Sequence, residues 1–138
     1  MNQYLALKQC QQKEYADFPM FFAFTDAGFI EGMKKLGLEE TDTDKIVSIG
    51  NGGYCRKADV DKLYCMAEKH RTELAEAMLG ERFAEQALTY ELSNHEYNYT
   101  LDVTDALQAL GLTEEEIKNN PTLLRALEKA KSRQGDPF

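Results

Sequence analysis

Apolar positions recur along this chain mostly at helical spacing, with two short stretches that follow a strand pattern instead. Residues 3–15 place Tyr4 and Leu7, with Leu5 beside them, on one face of a polar segment, which predicts a helix that Pro19 ends. Met20-Phe21-Phe22-Ala23-Phe24 is short, aromatic and almost continuously apolar, the pattern of a strand buried on both faces. Thr25 or Asp26 then offers an N-cap. Phe29, Ile30, Met33 and Leu36 step by three or four, and Gly37 supplies a helix stop.

An acidic loop over 38–44 leads to the β-branched run Lys45-Ile46-Val47-Ser48-Ile49. The glycine cluster 50–53 and the return Tyr54-Cys55-Arg56 complete a predicted hairpin. From Lys57 to about Asn94 the period is helical again, and Gly80 divides it into two helices. The second carries Phe83, Ala84, Ala87, Leu88, Glu91 and Leu92 on one stripe. Asn94–Thr100 breaks the pattern. Thr100 or Asp102 can cap a helix over Val103–Leu110 that stops at Gly111. Thr113 with Glu116 matches a capping box, and Asn120-Pro121 starts a last helix with Leu123, Leu124, Leu127 and Ala130 as its apolar stripe. The pattern predicts an α+β fold: one mostly helical domain over 1–138, with a small antiparallel sheet of about three strands and a frayed tail at 134–138.

Composition narrows what such a domain does. A chain of 138 residues buries enough surface to fold without a disulfide or a metal. Its net charge is −8, and acids outnumber bases in each of 1–56, 57–100 and 101–138. No segment is basic enough to follow a phosphate backbone, so direct nucleic-acid binding is not expected. Cys10, Cys55 and Cys65 are odd in number and lack C-x-x-C spacing, which suits free thiols in a reducing cytosol. No apolar run reaches the roughly 20 residues of a membrane span. The N-terminus lacks a secretory pattern. A cytoplasmic protein without membrane contact is expected.

Few residues are arranged for chemistry. His70, Glu91 and His95, with Glu73 or Cys65 in support, are the candidate divalent-metal set, because Glu91 and His95 share a helical face. No H-E-x-x-H motif backs it, and no cofactor is expected. Cys55 follows the glycine turn and precedes Arg56 and Lys57, yet a half-buried strand cysteine explains it as well. Gly50-Asn51-Gly52-Gly53 lacks both phosphate-loop patterns and reads as a hairpin turn. Asp42 and Asp44, with Glu39 and Glu40, lack the remaining positions of a calcium loop. Tyr97 and Tyr99 point to one side if 94–100 is extended, and with His95 they would form a contact patch.

Several stretches together carry a resemblance. They are Phe18–Phe24, Phe29–Gly37, Gly53–Lys57, Tyr90–Thr100 and Asp105–Leu112. In order and spacing, roughly over residues 4–131, they resemble a family of uncharacterised small proteins from gut Firmicutes, their phages and mobile elements. The resemblance carries over no catalytic residue. It implies a bacterial cytosol and a mobile-element origin, and with that an anti-defence role. The reading is a non-enzymatic acidic module that binds a host protein with a basic, nucleic-acid-handling surface. Glu39, Glu40, Asp42, Asp44, His95, Tyr97 and Tyr99 would make the contact. The alternative is a small metal-binding protein or metal-dependent enzyme using His70, Glu91 and His95.

Overall fold

The computed structural model describes residues 2–135. Among them are eight α-helices and one three-stranded antiparallel sheet, the mostly helical α+β class expected. The chain packs as two compact units, Lys13–Lys69 and the discontinuous Met1–Gln12 with His70–Phe138. Two helices, α1 (Gln3–Asp17) and α3 (Val60–Ala77), contribute residues to both.

Unit Lys13–Lys69 holds the sheet. Strands β1 (Met20–Phe22), β2 (Ile46–Gly50) and β3 (Gly53–Arg56) are ordered β1-β3-β2, so the return strand of the hairpin is central. Met20 faces Cys55 and Phe21 faces Tyr54 on one side, while Val47 and Ser48 face the same two residues on the other. Side chains alternate between faces along a strand. One face therefore carries Phe21, Tyr54 and Ile46. Helix α2 (Asp26–Lys35) packs on it through Phe29 and Met33, with Leu36 beyond its end. Phe21, Phe29 and Tyr54 meet ring to ring at 5.4–5.8 Å. Thr25 caps α2 by accepting from the Gly28 amide at 3.0 Å. Gly32 is obligatory at this crossing, because a Cβ there would collide with the Phe21 ring.

The aromatic run does not behave as the sequence pattern predicts. The strand ends at Phe22 rather than Phe24, and only Phe21 is buried; Phe22 is 57% and Phe24 84% exposed. An edge strand covered by a helix on one face buries one side chain in two. A continuous apolar run is compatible with that arrangement as well as with burial on both faces.

The other unit is helical. It holds the remaining parts of α1 and α3, then α4 (Glu81–Asn94), α5 (Tyr97–Thr100), α6 (Thr104–Ala109), α7 (Glu114–Lys118) and α8 (Pro121–Ser132). Its core includes Ala84, Leu88 and Leu92 of α4 with Leu123, Ala126, Leu127 and Ala130 of α8. Small residues on both helices let the two backbones approach closely. Gly80 separates α3 from α4 as expected. Asn120 Oδ1 accepts from the Thr122 and Leu123 amides at 3.0 and 3.2 Å, with Pro121 opening α8. Thr113 Oγ1 accepts from the Glu116 amide at 3.2 Å. The Gln134 side-chain amide donates to the Thr89 and Ala130 carbonyls. The rest of the expected loose tail, from 136, lies outside the described residues.

Residues 97–100 form a helical turn, where an extended segment would have aligned the two tyrosines. Left-handed residues bracket it, Glu96 at φ 58° and Leu101 at φ 57°. Tyr97 is consequently half-buried against the core, whereas Tyr99 is 86% exposed.

Candidate functional site

The helical unit encloses one charged group almost completely. Glu91 stands on the apolar stripe of α4 among Phe83, Ala84, Ala87, Leu88 and Leu92, all buried. A carboxylate there requires partners, because a lone buried charge is very costly. Two come from α1: Tyr4 donates its hydroxyl hydrogen to Glu91 Oε1 at 2.7 Å, and Lys8 Nζ donates to the same oxygen at 3.4 Å. The third is one turn along α4, where His95 Nε2 lies 3.3 Å from Glu91 Oε2. The Lys8 ammonium also sits 5.7 Å from the centre of the Tyr4 ring and 5.1 Å from that of Tyr90, within cation–π range.

Packing fixes each member. The Tyr4 ring meets Phe83 edge-on at 6.0 Å and Tyr90 at 5.7 Å, which aims its hydroxyl at Glu91. Burial, then the hydrogen bond and charge of Glu91, hold the Tyr4 phenol well above its usual range, so it stays a neutral donor. Above the cluster opens a cavity of about 370 Å³, with Lys8, Asn94 and His95 among its polar walls and Leu7, Leu74 and Ala109 among its apolar ones.

The structure sorts the residues that the sequence offered. Glu91 and His95 come together on one helical face as their spacing predicts. His70 is buried on α3 and does not join them in a group of mutually close ligand atoms; its ligand atom lies within 4.8 Å of that of Glu73. Cys65 is exposed. With the Lys8 ammonium on Oε1, the cationic partner of Glu91 is a side chain of this chain. Tyr4 and Lys8 were missed. They are spaced to share a face of α1, but only tertiary packing reveals a partner 83–87 residues away. The legible signal was Glu91 itself, an acid on a buried stripe.

In the acidic loop, Asp42 accepts from the Glu39 amide at 3.0 Å and pairs with Lys45 at 3.6 Å, while Glu39, Glu40 and Asp44 are exposed. Cys55 is buried, and burial followed by the nearby charge of Asp59 raises its thiol pKa, the opposite of an activated nucleophile.

A second feature belongs to unit Lys13–Lys69. On the sheet face away from α2, Met20, Phe22 and Ile49 border an open hollow of about 520 Å³, completed by Tyr15, Leu63 and Tyr64. The glycine turn is the floor of an aromatic platform. A Cβ on Gly52 would strike the Phe24 ring, and one on Gly53 would lie 2.9 Å from Phe22 and 2.8 Å from Ile49. Tyr64 is 68% exposed. On α3, Asp61 and Glu68 lie three residues before and four after it, both exposed.

Residues 3–133 match the family described as "Family of unknown function (DUF7659)". No curated protein and no solved structure matches the chain.

Proposed function

We propose that the chain, which belongs to this family of unknown function, is a non-enzymatic module that docks a protein partner on the open sheet face of residues 13–69. One observation carries the reading. Phe22 and Tyr64, each more than half exposed, line a single apolar hollow, and the exposed Phe24 ring lies beside it against Gly52 of the turn. Isolated exposed apolar residues are ordinary, but a contiguous aromatic patch marks an interaction surface. Aromatic side chains also dominate binding hot spots.

The partner's chemistry follows from what surrounds the patch. Asp61 and Glu68 flank Tyr64, and the chain carries a net charge of −8. A segment that offers an apolar side chain beside Lys or Arg fits this surface, with the charges speeding encounter and the aromatics holding the complex. A basic, nucleic-acid-handling host protein in a bacterial cytosol is the partner class that this charge and the mobile-element origin implied by the resemblance favour. In that setting the module acts as an inhibitor. The exposed acids Glu39, Glu40 and Asp44, with Asp42, contribute steering, and His95, Tyr97 and Tyr99 offer a further contact segment.

The test is a tagged pull-down from bacterial lysate at low and moderate salt. Wild type is run beside Phe22→Ser and Tyr64→Ser, with folding checked by circular dichroism. A basic protein retained by wild type, released by salt and absent from both folded variants is the expected result. Equal retention by the variants, or no protein retained by wild type, would refute the reading.

A further inference from the structure

We infer that the cavity above Glu91 is a binding site for a small organic monocarboxylate with a short apolar body, independent of the docking face. The reasoning rests on depth. Glu91 lies at the floor with its side chain 2% exposed, whereas Lys8 and His95 stand at the mouth with theirs 36% and 32% exposed. Oε1 of Glu91 already accepts from Tyr4 and Lys8, and Oε2 faces His95. An entering ligand therefore meets the ammonium before the carboxylate. The Glu91 bond uses one of the three Lys8 donors, and the Tyr4 and Tyr90 rings flank the same ammonium at 5.7 and 5.1 Å. Asn94 adds an amide at the rim.

These groups favour an anion over a cation, because the buried acid is already paired with the more exposed Lys8 ammonium. A single negative charge is favoured over a phosphate dianion, since the Glu91 charge behind Lys8 repels the second charge at short range in a poorly solvated site. Leu7, Leu74 and Ala109 give the apolar body its wall. A volume of about 370 Å³ is at the small end for ligand pockets, which limits the body to a few carbons or one ring.

The experiment is calorimetric titration of the full chain with butyrate, hexanoate and benzoate, each beside its neutral amide. Wild type should bind at least one acid saturably and its amide at least about tenfold more weakly. Lys8→Met should lose that preference. Lys8→Arg, which keeps the charge and serves as the folding control, should retain it. Saturable binding by no acid would overturn the assignment, as would equal binding of acid and amide or an undiminished preference in folded Lys8→Met. The docking proposal is read by a pull-down with Phe22 and Tyr64 variants and this one by calorimetry with Lys8 variants, so either one fails alone.

Discussion

Replacing Tyr4 by Phe removes a single oxygen and leaves the ring packed against Phe83 and Tyr90. What is lost is the 2.7 Å hydrogen bond to Glu91, between two side chains both buried. A hydrogen bond to a charged group contributes about 1.5–3 kcal/mol, and burial from solvent screening places this one near 2 or above. Unfolding entropy of about 2.1 cal/mol/K per residue over 138 residues converts ~2 kcal/mol into a melting point lower by about 7 °C. Urea titration followed by far-ultraviolet circular dichroism gives the free energy directly. The pH dependence supplies a second signature. The folded phenol holds its proton above its ordinary pKa of 10.0, so its stabilisation is complete below that value. It declines as rising pH ionises the unfolded chain, and is lost as pH passes the folded pKa. The gap between wild type and Tyr4→Phe should shrink by about 1.4 kcal/mol between neutral pH and pH 11. A neutral-pH difference below ~0.5 kcal/mol, or a gap that widens in alkali, would refute the anchoring role given to Tyr4.

Gly32→Ala should destabilise by about 2 kcal/mol, since overpacking against the Phe21 ring exceeds the helix preference gained. Gly80→Ala, whose Cβ meets only the Ala77 carbonyl oxygen at 3.6 Å, should change stability little; equal denaturation curves for the two would remove the close-approach explanation. Iodoacetamide followed by peptide mass spectrometry should label exposed Cys10 and Cys65 in the native protein and leave Cys55 unlabelled until urea is added. Rapid native labelling of Cys55 would contradict its burial.

Local punctuation was the legible part of this fold. Thr25, Gly80, Thr113 and Asn120-Pro121 mark helix boundaries through backbone hydrogen bonds made within a few residues, and each stands where the sequence placed it. The hairpin was legible for the same reason. The exposure of Phe22 was not, because which face of a strand is covered depends on elements distant in sequence. Residues 97–100 were misjudged because two non-glycine residues, Glu96 and Leu101, adopt left-handed backbone, which short-range preference disfavours. Of the site around Glu91, the His95 partnership was readable as an i,i+4 pair. Tyr4 and Lys8 were not, since helix periodicity says which side of α1 they occupy and nothing about what faces them.

The partners of Glu91 also stand far apart in time. A ribosome adding about 5–20 residues per second makes Tyr4 some 4–17 s before Glu91, which lies 87 positions later. The sheet unit, encoded without interruption by 13–69, is complete before that acid exists. The helical unit cannot close its charged cluster during this interval, and α1 emerges with a tyrosine and a lysine whose buried partner is still untranslated. Slowing or pausing translation between residues 70 and 91 would lengthen the exposure of the α1 face to proteases and chaperones, while leaving the finished protein unchanged.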